Sequence, residues 1–163
     1  MFLAGGAKRV AVLDIDLHHG NGTQQIFDHR GDVLFASIHG DPADAYPNFV
    51  GFADETGTGE GDGAHANYPL LPGTEYAAWS LALDDTLARI RAHGAEALVV
   101  SLGVDACKDD PISFFRLDSP DFLNFGQRIG RLGLPTVFCM EGGYAIDQIG
   151  VNTVNVLEGF ANA

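Results

Sequence analysis

The reading of this chain turns on the stretch Arg9-Val10-Ala11-Val12-Leu13-Asp14-Ile15-Asp16-Leu17-His18-His19-Gly20-Asn21-Gly22. A short apolar run rich in Val and Leu reads as a buried strand, and it ends in two carboxylates and an imidazole. Residues two apart in a strand point to the same side. Asp14, Asp16 and His18 are therefore expected on one face, with Leu13, Ile15 and Leu17 on the other. Buried carboxylates left uncompensated are strongly unfavourable, and a bound cation is the usual remedy. The glycines that follow let the backbone turn sharply and approach a ligand closely. The competing explanation is a strand end whose acids meet helix N-termini or arginines, and the rest of the chain weighs against it.

Working outward, apolar runs at about 9–13, 33–38, 97–102 and 135–140 read as further buried strands. Helical stretches fit about 22–29, 74–93, 119–132 and 146–161. Gly94 stops the second, and Ser119-Pro120-Asp121 opens the third as an N-cap followed by proline. The Gly-, Pro- and Asp-rich segment 40–73 reads as a functional loop holding a short strand near Asn67-Tyr68. Alternating β and α elements predict an α/β fold, a parallel sheet with helices on both faces. Ligands in such sheets sit outside the carboxyl ends of the strands. His18, Ser37, His39, Asp105 and the Glu141-Gly142-Gly143-Tyr144 run all fall at those ends, so the fold class predicts one shared rim.

The chain's 163 residues fit a single domain with a real core. No apolar run approaches the ~20 residues of a membrane span, and Met1–Ala7 is short and weakly basic for a signal peptide. Cys107 and Cys139 lack paired spacing, which implies neither a disulfide framework nor a cysteine zinc site; a cytoplasmic, reducing setting is expected. A net charge of −13 speaks against nucleic-acid binding; it would attract cationic substrates, although acidity this modest more often serves solubility alone.

Asp16, His18 and Asp105 make an O,N,O set, and three protein ligands with an open fourth position is the arrangement of catalytic zinc. Such a metal polarises a carbonyl and activates water. Tyr144, after a glycine pair, could donate its hydroxyl to a developing oxyanion, or merely pack over a strand end. Asp14 and the Ser37 hydroxyl, with nearby carbonyls, could hold a hard monovalent cation; alternatively Asp14 orients a histidine. His19 and His39 read as structural, and His29, His65 and His93 as surface residues.

Asp-x-Asp-x-His-His-Gly-Asn-Gly-Thr-Gln, then Ala36-Ser37-Ile38-His39, Leu102-Gly103-Val104-Asp105 and Glu-Gly-Gly-Tyr together resemble the zinc-dependent histone deacetylase superfamily. His39-Gly40-Asp41-Pro42, Lys108-Asp109-Asp110-Pro111-Ile112-Ser113 and Met140-Glu141-Gly142-Gly143-Tyr144 look most like its bacterial acetylpolyamine amidohydrolases. The resemblance implies an arginase/deacetylase-like fold and hydrolysis of an acetylated amine, most simply an acetylpolyamine, to acetate and free amine. It implies zinc on Asp16, His18 and Asp105, with Tyr144 as oxyanion donor. It further implies potassium on Asp14 and Ser37, completed by backbone oxygens of Asp16, His18 and Ile38. Tyr46, Ile112, Gly142 and Gly143 would line the substrate tunnel. The partner is then a small cationic acetylated amine, with no nucleic acid or membrane, and a homodimer of the full-length enzyme stays open. Alternatives are a deacetylase acting on acetyl-lysine or another acyl-amine, and a non-catalytic metal-binding remnant. A binuclear manganese ureohydrolase ranks low, because Gly20 and Gly103 stand where it needs carboxylates.

The family's tandem histidines belong upstream of the Asp-x-Asp-x-His motif, where this chain has 13 residues before Asp14 and no histidine among them. Residues 1–163 are thus expected to be the C-terminal, metal-binding part of one deacetylase domain, with the N-terminal part of the fold missing. Met1–Gly5 resembles the tail of a crossover helix.

Overall fold

The computed structural model describes residues 2–163. Strands β1 (Val10–Asp14), β2 (Val33–Gly40), β3 (His65–Leu70), β4 (Ala97–Leu102) and β5 (Thr136–Met140) form one sheet, ordered β3-β2-β1-β4-β5. Every pairing is parallel. Helices α1 (Asn21–Phe27), α2 (Tyr76–His93), α3 (Ser119–Gly130) and α4 (Ile146–Ala161) connect or follow the strands. The chain steps outward from β1 to β3 and then returns to lay β4 against the other side of β1. The strand order therefore reverses between β1 and β4, and a crevice opens at the carboxyl ends of such a pair.

Leu13, Ile15 and Leu17 enter one apolar core, as the alternation requires. They share it with Leu98, Val100 and Leu102 of β4 and with residues of α2, α3 and α4. Trp79 of α2 stacks on Phe125 of α3 with ring centroids 4.1 Å apart, locking those two helices together. The second face is covered more thinly. Val12, Val33 and Phe35 pack with Phe27 of α1, while Val99, Val137 and Cys139 line an apolar groove of about 310 Å³.

Several expectations need correction. β5 is expected to be buried, yet Thr136–Phe138 are half-buried and Cys139 and Met140 exposed, because β5 is an edge strand and, among the described residues, no helix covers its second face. Asp118, one residue before Ser119, caps α3; its N–H donates to the Asp121 carboxylate at 2.7 Å. Asp16 and His18 lie in a bend beyond β1 rather than in the strand itself. Of Met1–Gly5, Met1 falls outside the described residues and Leu3–Gly5 forms one 3-10 turn. Gly94 ends α2 as expected, at φ 72°, with its N–H bonded to the carbonyl of Arg91. Among the described residues no helix is long and apolar enough to cross a membrane.

Candidate metal centre

Asp16 and His18 follow β1, and Asp105 follows β4, so all three stand at the point where the strand order reverses. His18 Nδ1 lies 3.2 Å from Asp16 Oδ1 and 3.3 Å from Asp105 Oδ2. Neighbouring donors of a tetrahedral zinc with bonds of about 2.0–2.1 Å are separated by roughly 3.3–3.4 Å. The donor spacing therefore fits a single small cation. Among the described residues this is the one group of three or more His, Cys, Asp or Glu side chains close enough to share an ion.

The remaining lone pairs are fixed by backbone. Asp105 Oδ1 accepts the Leu17 N–H at 2.8 Å, and Asp16 Oδ2 accepts the Gly142 N–H at 2.7 Å. Asp105 Oδ2 is fully buried and, among the described residues, is met only by the His18 ring nitrogen at 3.3 Å, too loosely for a well-formed hydrogen bond; it is aimed at the centre of the trio. The carboxylates of Asp105 first, then Asp16, push His18 up to about 10. Burial raises the Asp105 carboxyl; for Asp16 burial acts the same way, but hydrogen bonds from His18 and Gly142 outweigh it and lower the pKa. Two carboxylates that draw a proton onto an imidazole this strongly create the field a metal cation would satisfy.

Gly142 must be glycine for lack of space: a Cβ there would run into the carboxylates of Asp105 and Asp16. Cβ atoms at Gly20 and Gly103 would likewise strike the Asp14 and Asp16 carboxylates. A second set of metal-binding side chains has no room at those two positions. Tyr144 is 52% exposed and lines, with Asp14, Asp16 and His18, an open cleft of about 420 Å³. Desolvation, then the charges of Asp105, Asp16 and Asp110, raises its pKa, which keeps the hydroxyl a donor. Tyr46 stands edge-on to His18 with ring centroids 6.4 Å apart, and Ile112 is exposed on the turn after Asp110.

Asp14 is 4% exposed and sits in register with Ser37 of β2 and Ser101 of β4. Its one side-chain hydrogen bond found among the described residues comes from the Asp16 N–H at 3.1 Å. Burial pushes its carboxyl well above the ordinary carboxylate range. The Ser37 hydroxyl is paired with His39 Nδ1 at 2.9 Å.

His65, expected at the surface, is buried on β3, where it stands in edge contact with Phe35. Alternation failed there because the residues flanking His65 are small or polar rather than apolar. Gln24 and Glu55 were missed altogether. Gln24 joins His19, Asn67 and Glu55 in one network, and a glutamine on a short amphipathic helix carries no sequence signal for that. Asp110, also missed as a site residue, binds the Tyr144 backbone; an acid just before Pro111 was its only mark.

A parallel sheet with a three-donor cluster at its switch point is an arrangement able to hold one metal ion where a ligand would enter. The chain matches the histone deacetylase domain over residues 2–160 and belongs to that family. It is 62% identical to acetylpolyamine amidohydrolase 1 of Pseudomonas aeruginosa, over 99% of this chain and 47% of that protein. It is 59% identical to the acetylpolyamine amidohydrolase of Mycoplana ramosa, over 96% of this chain and 46% of that protein. The crystal structure of an acetylpolyamine aminohydrolase from Burkholderia pseudomallei superposes with a TM-score of 0.95 at 46% identity, covering 98% of this chain and 47% of that one. The chain thus spans just under half the length of these relatives.

Proposed function

We propose that residues 1–163 are the metal-binding part of a zinc-dependent deacetylase domain that hydrolyses acetylated amines, acetylpolyamines first among them. One observation carries this reading: Asp16 Oδ1, His18 Nδ1 and Asp105 Oδ2 converge at the spacing of a tetrahedral site. Names of relatives that share about 60% of the sequence support the substrate class. When bound, zinc would supply Lewis acidity toward the acetyl carbonyl and the attacking water. Asp16, His18 and Asp105 hold it, fixed in turn by the Gly142 and Leu17 amides. Tyr144, with its hydroxyl protonated, donates to the oxygen on which negative charge develops. Tyr46, Ile112, Gly142 and Gly143 border the acyl group's path, and the −13 net charge draws a cationic amine inward.

Behind this centre, Asp14 and Ser37, with the carbonyls of Asp16, His18 and Ile38, would hold potassium. A carboxylate as buried as Asp14, with no ion pair among the described residues, keeps its charge only beside a cation. The exposed free thiol of Cys139 suits a cytoplasmic setting.

The histone deacetylase domain match favours a second reading, in which the amine is an acetyl-lysine side chain. Metal analysis tests the centre: one zinc per chain is expected, and a chain that takes up none under zinc-replete conditions would overturn the reading. For a complete polypeptide containing this segment, acetylputrescine and an acetyl-lysine peptide compared by kcat/KM separate the two substrates.

A further inference from the structure

We propose that Asp110 is a positioning residue whose carboxylate latches the Tyr144 loop to the Pro111-Ile112 turn and so sets where the Tyr144 hydroxyl stands over the Asp16–His18–Asp105 cluster. The inference rests on the role proposed above for Tyr144. Asp110 is 4% exposed and forms no ion pair among the described residues. It is held instead by three backbone donors. Its Oδ2 accepts the Tyr144 N–H at 2.6 Å and the Ala145 N–H at 3.0 Å, and its Oδ1 accepts the Ile112 N–H at 3.1 Å. An ionised carboxylate is purely an acceptor, so this environment suits it in a way a neutral amide cannot match. Ala145 is the N-cap of α4 and has no side chain to cap with, so Asp110 also supplies a negative charge at that helix's positive end.

The Tyr144 loop needs such an anchor. It enters through Gly142-Gly143, which restrict the backbone least of all residues. The Tyr144 ring, half-exposed, is not held by packing. Upstream, the loop is tied to the cluster by the Gly142 N–H on Asp16 and by the Val104 N–H on the Gly142 carbonyl, at 2.7 Å each. Downstream, the Asp110 carboxylate is the tie at Tyr144 itself. The same side chain fixes Ile112, so the proposed oxyanion donor and one proposed border of the acyl path are tied to a single carboxylate.

The test uses the 163-residue chain and NMR. In the wild type, the Tyr144 and Ala145 amides should be protected from exchange; unprotected amides there overturn the proposal without any variant. Asp110→Asn keeps the shape but sets an NH₂ group against backbone N–H groups. It should speed exchange at Tyr144 and Ala145 by roughly 10–100-fold, the range for losing a hydrogen bond to a charged group. Core amides of β1 and α2 should keep their rates. A ring-labelled Tyr144 signal should shift on zinc addition in the wild type and lose most of that shift in Asp110→Asn, at equal zinc stoichiometry. Unchanged exchange, or an unchanged zinc-induced shift, overturns the latch. If neither protein binds zinc, the proposed function fails, and the exchange rates still decide the latch.

Discussion

Two clusters of acids and histidines lie within a few residues of one another, and they are built to opposite ends. In the Asp16–His18–Asp105 cluster each side chain turns one donor atom toward a common point, and Asp105 Oδ2 faces only the His18 ring nitrogen, 3.3 Å away, among the described residues. Behind it, His19, Gln24, Asn67 and Glu55 bond to one another, and His39 packs against His19 with ring centroids 4.6 Å apart. His39 is held at both ring nitrogens, by the Ser37 hydroxyl and the Gly51 carbonyl, each at 2.9 Å. His19 Nε2 meets Gln24 Oε1, and Gln24 donates to Glu55. The same residue types titrate in opposite directions: His18 rises to about 10, while burial lowers His39 to about 4 and takes His19 down as well. Donor atoms that converge on one point mark a binding site; side chains that pair off with one another mark structural support. A histidine beside a metal motif is therefore not by that fact a ligand or a base.

The largest effect expected from this contrast is on metal uptake. Asp105→Ala removes one of the converging donors, and zinc affinity should fall by more than ~100-fold, beyond the 10–100-fold typical of losing a residue that only orients a ligand. His39→Gln, in the supporting cluster, should leave one zinc per chain. Equal zinc content in wild type and Asp105→Ala, measured after dialysis, would erase the distinction.

Turnover sharpens it next. Both ring nitrogens of His39 are engaged, and His19 is buried with its Nε2 bonded to Gln24, so neither is placed to take a proton from an attacking water. The 163-residue chain, fully loaded with zinc, should hydrolyse acetylputrescine at least about 10²–10⁴-fold more slowly than a complete family enzyme, the usual contribution of general acid–base assistance. Robust, chelator-sensitive turnover would return His19 or His39 to candidacy. A smaller loss is expected where the donor alone is removed. In a complete polypeptide carrying this segment, Tyr144→Phe should cost about 10²–10³ in kcat with zinc retained; wild-type kcat would leave Tyr144 a packing residue.

The sheet and the metal cluster were largely legible in the sequence, for one reason. A parallel α/β arrangement gathers all strand carboxyl ends on one rim, so Asp16, His18 and Asp105 needed only correct strand assignments to be brought together. What stayed hidden depended on partners that no local pattern encodes. The burial of β5 depends on helices elsewhere in the fold, so its apolar run read the same whether one face or both were covered. His65 is buried because Phe35 and the segment before β3 close over it. Asp110 in Lys-Asp-Asp-Pro looks like a solvated acid until the Tyr144 amide is seen against it.

The smallest effect, on stability, probes the supporting cluster by itself. His39 is neutral in the folded chain down to about pH 4, because burial first and the neighbouring His19 next disfavour its charge. In the unfolded chain it protonates near 6.5. Between those values the unfolded state binds more protons through this residue, so the contribution of His39 to stability is fully present above about pH 6.5 and is lost as the pH drops toward 4. A displacement from 6.5 to about 4 corresponds to roughly 3 kcal/mol at 1.36 kcal/mol per unit. His19 and His65, also lowered by burial, act in the same direction. Urea denaturation in the presence of a chelator, from pH 7.5 to 4.5, isolates this behaviour from loss of metal at His18. The wild-type midpoint should decline on acidification, and His39→Gln should decline less steeply from a lower starting value. Parallel curves for the two proteins would mean that His39 is not held neutral by its surroundings, and the contrast between the two clusters would then rest on hydrogen bonding alone.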